Sequence, residues 1–425
     1  MGAGKGLIWS NWLLFFVSTT EFELFNLDDA ISALRFHPEL PGLLLSSSWD
    51  RSARLFDLDR SGEASEPLGL YHHPSAILDL CFGSDRCHGK AYTASLDHGV
   101  REIDLELSSS TSTTTPTNSA SSRPNRVIST HQDAVKCIHY SKNHNILISG
   151  SWDRSIVLQD PNVTSNKQFP GAITTLMLPN LPSKVYCLDC SEDKLVVAMG
   201  NRKTWIWDLR MLSEAVQRVN DQSNSAKNPM TGQEPVIPPP PFLEKESSLK
   251  FMTRSIKCYA SSSIEGRIAV EFFDQSPEVQ SKKYAFKCHR QTVDGVDLIY
   301  PVHALAFHPE LGTFASGGGD GIVSIWDSKA KKRLRQLPAY PGSISSLDFN
   351  VDGTRLAIGV SVFEEEGMTN QKSVVKDEKE DKDEQMDGGE GDEKKRKAKK
   401  EEEKSLSRNV IFVRTVNDDC KPKGK

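Results

Sequence analysis

The chain has 425 residues, and its 52 basic and 57 acidic side chains leave a net charge of only −5 at pH 7. This small imbalance argues against a nucleic-acid-binding protein, which usually carries a strong basic excess. The length is compatible with one large all-β domain.

Residues 1–20 are predicted to be an N-terminal extension. Lys5 precedes an apolar run from Leu7 to Val17, which superficially resembles a secretory signal peptide. The run is too short to span a bilayer as a helix, and a strand over Glu21–Leu24 follows at once. An unstructured extension, or a wrongly chosen start of translation, is therefore preferred over a signal peptide.

Two segments of the chain recur far downstream. Leu34–Leu40 (LRFHPEL) returns as Leu305–Leu311 (LAFHPEL), and Ser48–Ser52 (SWDRS) returns as Ser151–Ser155. Such self-similarity indicates that one small structural unit is used many times. A ring of similar units usually offers a rigid binding face rather than one catalytic pocket.

Each unit contains a short strand, a small apolar strand, a tight turn with Asp, and a third strand that ends before another Asp. Asp suits such turns because its side chain can bond to nearby backbone N–H groups. The third strands are predicted to end at Phe56-Asp57, Ile103-Asp104, Gln159-Asp160, Trp207-Asp208, Phe273-Asp274 and Trp326-Asp327. This is the WD-repeat pattern, with about 40–45 residues and four strands in each propeller blade.

A seventh unit begins at Ser343 and continues to Gly359. Its third strand is predicted within residues 408–416, and its outer strand is predicted to be Glu21–Leu24 from the other end of the chain. That pairing would close the ring and leave no large exposed sheet edge. The sequence thus predicts an all-β, seven-bladed WD-repeat β-propeller over residues 21–363 and 408–416, followed by a tail at 417–425.

Three segments are predicted to be disordered insertions in this ring. Residues 108–124 are rich in Ser and Thr, and residues 364–407 are packed with Glu, Asp and Lys without aromatic residues. Residues 213–242 are polar and end in four consecutive prolines, which cannot form a ladder strand. Loops on a propeller can grow in this way without harming the core.

The sequence predicts no enzyme, cofactor or metal site. It has no nucleophile elbow, and the glycines of Gly317–Gly321 lie at a predicted blade turn rather than in a phosphate loop. Cys187 and Cys190 have CxxC spacing, but a second such pair is missing, so zinc is a weak alternative. Apolar strand patterns contain Cys81, Cys137, Cys187 and Cys258, which favours free thiols in a reducing compartment.

Two tryptophans depart from the repeat pattern. Trp49 and Trp152 directly precede the turn Asp, where other units carry Leu96, Ile264 or Gly319. Exposed tryptophan is enriched at binding hot spots, so these residues are predicted to bind a partner. The competing interpretation is that each packs on a neighbouring loop.

Two arginines of one unit are candidates for a phosphate site. Arg254 and Arg267 lie on adjoining strands or turns of the predicted fifth blade, and converging guanidinium groups suit a phosphate. Spacing alone favours the simpler interpretation that both are solvated rim residues.

A resemblance to a known family changes that balance. Ser262–Glu271, Ser276–Gln280 and Lys283–Arg290 together resemble the spindle-checkpoint propellers of the Bub-three (budding uninhibited by benzimidazole) family. The likeness runs from about Glu21 through Ile358 and resumes at Ile411–Arg414. The related Rae-type mRNA export factors share the motifs SSIEGR and FKCHR, whereas Val270–Asp274 is more similar to the checkpoint branch.

The resemblance implies a set of partners and contact residues. Family members bind a GLEBS segment of the Bub-type checkpoint kinase and its Mad-type relative, and Trp49, Trp152 and Arg210 match positions implicated in that contact. They also read phosphothreonine in MELT repeats of the kinetochore scaffold, and Arg254 and Arg267 match the phosphate-binding positions.

The resemblance further implies a non-enzymatic adaptor that acts as a monomeric propeller in hetero-complexes, without a membrane or nucleic-acid partner. It would act in the nucleus and at kinetochores, with a cytoplasmic pool left open. The alternative function is that of a Rae-type mRNA export and nuclear-pore factor.

The chain departs from the family pattern in its insertions. The one at 213–242 follows Arg210 closely and precedes Arg254, so it could shield or extend the site. The one at 364–407 is longer than in typical relatives, and its basic run Lys394–Lys400 fits either a nuclear localisation signal or a solvated charge run.

Overall fold

The structure is a computed structural model. It describes residues 21–24, 27–60, 66–83, 89–105, 125–162, 175–225, 235–257, 260–362 and 409–422. The predicted N-terminal extension, the predicted loop at 108–124 and the charged insertion at 364–407 with its basic run lie outside these residues.

The described residues form seven four-stranded antiparallel sheets, each of which is one blade of a propeller. β1 (Glu21–Glu23) comes first in the chain and belongs to the last blade. From the inner to the outer strand, the first four blades are β2 (Ile31–Phe36), β3 (Leu43–Ser48), β4 (Ser52–Asp57) and β5 (Gly69–His72); β6 (Ile77–Phe82), β7 (Lys90–Ser95), β8 (Gly99–Asp104) and β9 (Arg126–Thr130); β10 (Val135–Ser141), β11 (Ile146–Ser151), β12 (Ile156–Gln159) and β13 (Thr175–Leu178); and β14 (Val185–Ser191), β15 (Lys194–Met199), β16 (Lys203–Asp208) and β17 (Leu243–Glu246).

The fifth blade is followed by a two-stranded hairpin before the ring resumes. The remaining elements are β18 (Thr253–Lys257), β19 (Ala260–Ser263), β20 (Arg267–Val270) and β21 (Tyr284–Lys287) in blade 5; the hairpin β22 (Arg290–Val293) and β23 (Val296–Ile299); β24 (Val302–Phe307), β25 (Thr313–Gly318), β26 (Val323–Asp327) and β27 (Lys332–Gln336) in blade 6; and β28 (Ser343–Phe349), β29 (Arg355–Ser361) and β30 (Val410–Thr415) in blade 7. The inner strand of each blade contacts the next inner strand, and β28 contacts β2, so the ring is closed.

The two ends of the chain complete the seventh blade together. β1 pairs with β30 in the register Glu21↔Arg414, and Arg414 Nη1 lies 3.2 Å from Glu21 Oε2. Leu24 and Leu27 are buried in the same core cluster as Ile411. This arrangement confirms the predicted seven-bladed propeller and its closure by the N-terminal strand.

The prediction of a disordered loop over residues 213–242 is partly wrong. The segment predicted as disordered at 213–242 begins inside a helix, α1 (Leu209–Ser225), which continues directly from β16. Its apolar residues Leu209, Leu212 and Val216 follow helical spacing and are buried in the core shared by blades 3 and 4. The polar composition of the segment concealed this stripe, because the helix has its other face in water.

The third strand of blade 5 also ends earlier than the repeat pattern predicts. β20 stops at Val270, which pairs with Tyr284 on β21. The predicted ending at Phe273-Asp274 lies in a turn before the short helix α2 (Pro277–Gln280). There the Gln280 side-chain amide donates to the carbonyl oxygens of Phe272 and Asp274, so this backbone bonds to a side chain instead of a neighbouring strand.

Buried histidines make the stability of the propeller dependent on pH. His73 is 7% exposed, and its Nε2 lies 2.8 Å from Thr93 Oγ1. Burial lowers the pKa of His73 from its ordinary value of 6.5 to about 4. Because the folded state holds the neutral form, this stabilisation is complete above pH 6.5 and is lost as the pH falls towards the folded pKa.

We therefore expect His73 to remove about 3 kcal/mol from the free energy of unfolding as the pH falls from about 6.5 to about 4. Urea denaturation of the wild type and of His73→Gln over that range measures it. Carboxylates titrate in both proteins, so the difference between their slopes of unfolding free energy against pH isolates the contribution of His73. Equal slopes would contradict this assignment.

Candidate partner-binding face

The two faces of the ring carry different parts of each blade. Because successive strands run antiparallel, the turn between the second and third strands lies on the same face as the start of the inner strand. We call this the upper face. The turn between the first and second strands, and the connection from the third to the outer strand, lie on the lower face.

The turns that carry Trp49 and Trp152 have the same construction on the upper face. Asp50 Oδ1 accepts hydrogen bonds from the backbone N–H of Ser52 at 2.9 Å and from its hydroxyl at 2.5 Å. Asp153 makes the same two contacts with Ser155 at 2.8 and 2.6 Å. The turns therefore hold their Trp residues in equivalent positions of blades 1 and 3.

The backbone of each tryptophan is tied to the start of its own inner strand. The N–H of Trp49 donates to the carbonyl of Ala30 at 2.9 Å, and that of Trp152 donates to the carbonyl of Ala134 at 3.0 Å. The inner strands line the central channel, so this bond places both residues at the channel mouth.

Trp49, Trp152 and Arg254 line one central cavity of about 560 Å³. Tyr186 and His303 also contribute to its wall. Trp49 is 44% exposed although it is a large apolar residue, which is the exposure expected of a binding residue rather than a packing residue. The structure thus brings two predicted partner-binding residues and one predicted phosphate-binding residue to one concave surface.

Trp152 is more enclosed than Trp49 and has polar neighbours. Lys184 Nζ lies 5.4 Å from its ring centroid, and the ring of Tyr186 is 6.5 Å away. The indole Nε1 is buried and has no hydrogen-bond partner among the described residues. A buried donor of this kind carries a desolvation cost in the folded protein.

Arg254 is the second residue of β18, the inner strand of blade 5, and lies at the irregularity in register between Thr253 and Ser255. A bulge at such a position re-aims the side chain. Arg254 is exposed, and its Nε donates to His303 Nδ1 at 3.2 Å. Burial, with the Arg254 charge adding to it, lowers the pKa of His303 to about 4. His303 is therefore neutral near pH 7 and accepts from Arg254 without cancelling its charge.

Arg267 lies on the same face of the same blade but has a carboxylate neighbour. It begins β20, just after the turn that contains Glu265, and its Nε lies 3.1 Å from Glu265 Oε1. Arg290 donates from Nη2 to the backbone carbonyl of Glu265 at 2.9 Å. The guanidinium groups of Arg267 and Arg290 thus flank Glu265, which offsets part of their charge.

Arg210 lies on the other face of the propeller. It follows β16, whose end is on the lower face, and it occupies the second position of α1. Its guanidinium donates to both carboxylate oxygens of Asp208, at 2.9 and 2.6 Å. These hydrogen bonds are the main cause of the lowered pKa of Asp208. The structure therefore does not bring Arg210 together with Trp49 and Trp152.

Sequence reasoning missed several residues of the upper face. Tyr186, Lys184 and His303 lie at or just before inner strands, where the repeat pattern is least distinctive. Phe251 and Ile264 are 49% and 40% exposed beside the arginines of blade 5. Their common signal is the position of each at the upper end of a blade strand.

The described residues offer no group of three or more His, Cys, Asp or Glu side chains that could hold a metal ion. Burial raises the pKa of Cys187 to about 12, so this thiol of the CxxC pair stays protonated. In the part of the chain that the structure covers, no helix is long and apolar enough to cross a membrane.

Comparison with known proteins agrees with the fold. The family model "WD domain, G-beta repeat" matches residues 23–57, 122–160 and 281–327. The solved structure "Structure of U3-55K" superimposes with a TM-score of 0.60 at 16% identity, covering 93% of this chain and 98% of that one. At this identity the likeness shows the propeller fold alone.

Whole-chain relatives are more informative. "Mitotic checkpoint protein BUB3.1" of Arabidopsis thaliana is 36% identical and covers 93% of each chain. "Mitotic checkpoint protein bub-3" of Caenorhabditis elegans is 35% identical over 78% of this chain and 84% of its own. The "Poly(A)+ RNA export protein" of Schizosaccharomyces pombe is 29% identical over 80% of this chain and 84% of its own. On this similarity along nearly its whole length, the chain belongs to the Bub3 family of mitotic checkpoint WD-repeat proteins.

Proposed function

We propose that this chain is a non-enzymatic adaptor of the spindle assembly checkpoint. It binds phosphorylated MELT repeats of the kinetochore scaffold and, separately, a GLEBS segment of Bub-type kinase and Mad-type partners. The observation that carries this proposal is the upper face, where Trp49, Trp152 and the exposed Arg254 guanidinium line one cavity.

The phosphate site of the proposal consists of Arg254 and Arg267 on blade 5. Arg254 has no carboxylate partner among the described residues, and its neighbour His303 is neutral near pH 7. Its charge is therefore available to a phosphothreonine, which brings about two negative charges and three acceptor oxygens. Arg267 must share its charge with Glu265, so we assign it the weaker contact.

The GLEBS site of the proposal consists of Trp49 and Trp152. Aromatic rings at the rim of a concave surface bury large apolar area at low entropic cost, as in other binding hot spots. Arg210 belongs to this contact only if the segment continues around the rim to the lower face.

This arrangement supports recruitment by two simultaneous contacts. A kinase phosphorylates the scaffold, the propeller binds the phosphorylated repeat, and the GLEBS partner is thereby brought to unattached kinetochores. The adaptor acts as a monomeric propeller within such complexes, in the nucleus and at kinetochores. It needs neither a cofactor nor a membrane.

The deciding experiment is calorimetric titration of a MELT peptide, with and without threonine phosphate, into the protein bound to a GLEBS peptide. We expect the phosphorylated peptide to bind and the unphosphorylated peptide to bind at least about tenfold more weakly, because charged hydrogen bonds contribute about 1.5–3 kcal/mol each. Equal affinity for the two peptides would refute phosphate reading.

The second candidate function is that of a Rae-type mRNA export and nuclear-pore factor, which a relative at 29% identity favours. Such a factor would also bind a GLEBS segment but would not require phosphate. GLEBS binding that is intact together with indifference to MELT phosphate would favour this function.

A further inference from the structure

The connection between β16 and β17 in blade 4 contains a feature that the checkpoint function does not use. After α1 the described chain resumes at Pro235 and runs through four consecutive prolines, Pro238–Pro241, to Phe242. Residues 235–241 are neither helical nor in a strand. The connection lies on the lower face, opposite the cavity and the arginines of blade 5.

The backbone of this segment has little conformational choice. Each proline fixes its own φ near −65°, and each residue before a proline is pushed to extended or polyproline II geometry. Ile237 and the first three prolines of the run all precede a proline. The segment is therefore restricted to extended, polyproline II-like geometry and needs little further ordering on binding.

The exposure of the segment follows the threefold repeat of such a helix. With three residues per turn, Val236 and Pro239 lie on one edge, and Ile237 and Pro240 lie on another. Val236 packs against the core cluster that contains Leu212 of α1. Ile237 is 84% exposed, and Pro240 is exposed beside it. One edge thus rests on the propeller while another faces water.

Both ends of the segment are anchored. Val236 holds the start against the core, and β17, which begins at Leu243, pairs with β16 in the register Ile206↔Leu243. Phe242 at the junction is 60% exposed, with Lys194 Nζ 4.6 Å from its ring centroid. A short rigid segment, held at both ends, presents large apolar side chains that blade 4 does not cover.

We propose that Pro235–Phe242 is a docking ligand for a domain with an aromatic-lined groove of the SH3, WW or EVH1 type. Such grooves recognise polyproline II segments by stacking proline rings on aromatic side chains. The ligand edge consists of Ile237 and Pro240, with Phe242 at its end. Because the segment lies on the lower face, the docked domain leaves the upper face open to phosphopeptide and GLEBS segment.

The test uses the full chain and three probes: one isolated EVH1 domain, one WW domain and one SH3 domain, each labelled with 15N. Each is titrated with unlabelled protein and followed by NMR. We expect chemical-shift changes at the groove aromatics of at least one domain. The double substitution Ile237→Ala with Pro240→Ala is expected to weaken that binding by about tenfold or more, since it removes the exposed edge and loosens the backbone.

The matched control is Pro38→Ala, an exposed proline in the lower-face turn between β2 and β3. It is expected to leave domain binding unchanged. Thermal unfolding of each variant checks that the propeller is intact. Binding by none of the three domains would overturn the proposal, and so would binding that the double variant retains.

Discussion

Replacing Arg254 with alanine is expected to weaken binding of a phosphorylated MELT peptide by about 30-fold, equivalent to about 2 kcal/mol for one charged hydrogen-bonding group. Replacing Arg267 with alanine is expected to weaken binding of this peptide less. Its guanidinium is 3.1 Å from the Glu265 carboxylate, which already offsets part of its charge. The double variant is expected to abolish measurable binding. Calorimetry with phosphorylated peptide checks all three.

The control for this prediction is Arg333→Ala, which removes the same charge from an exposed position on β27 in the neighbouring blade. Binding of the GLEBS peptide to the double variant verifies that the upper face is still formed. Because Arg254 also lines the cavity with the tryptophans, a small loss of GLEBS affinity is expected from Arg254→Ala and none from Arg267→Ala. A loss as large for Arg333→Ala as for Arg254→Ala would contradict a local phosphate site.

Replacing Trp49 and Trp152 together is expected to reduce GLEBS affinity by at least about 30-fold, because truncation of a buried hot-spot residue typically costs about 2 kcal/mol or more. Trp49 is the cleaner single substitution. This residue is 44% exposed in the free protein, so its truncation removes contact area without creating a cavity in the hydrophobic core. Calorimetric titration of a GLEBS peptide into each variant measures the effect.

Arg210→Ala provides the matched control, since Arg210 lies on the lower face and pairs with Asp208. We expect this variant to bind the GLEBS peptide as the wild type does. A large loss on Arg210→Ala, with thermal unfolding unchanged, would show that the segment extends around the rim. Retention of full affinity after loss of both tryptophans would instead exclude them from the interface.

The propeller could be predicted in detail because its repeats are local in sequence. The strand, turn and Asp of each unit lie within a few dozen residues, and the paired segments around Trp49 and Trp152 show the same pattern twice. Ring closure by Glu21–Glu23 was also predictable, since the seventh unit lacked an outer strand. The helix α1 was missed because its apolar stripe at Leu209, Leu212 and Val216 is diluted by polar residues in every linear window.

The hairpin of β22 and β23 was missed for a related reason. It pairs only with itself between blades 5 and 6, so it has no counterpart in the repeat. Its apolar residues Val296 and Ile299 are 62% and 46% exposed. The alternation between buried and exposed positions that marks a blade strand is absent there.

The sequence could single out the candidate residues, but it could not place them relative to one another. Unusual tryptophans and a pair of arginines can be recognised in a linear sequence, since each departs from what the repeat needs. Their spatial arrangement cannot be recognised there, because it depends on which end of a blade each residue occupies. Arg254 lines one cavity with the two tryptophans, whereas Arg210, which is also an arginine, lies on the lower face and pairs with Asp208.

The class of fold, the number of blades and the family could be predicted from the amino-acid sequence alone, because they follow from local repeats and from motifs that are contiguous in the chain. Only the folded ring brings Trp49, Trp152 and Arg254, which lie in blades 1, 3 and 5, to one cavity. It also places Arg254 beside a neutral His303 of the adjacent blade. The physical reason is that charge and burial depend on neighbours that are far apart in the sequence and meet only when the blades are arranged around a common axis.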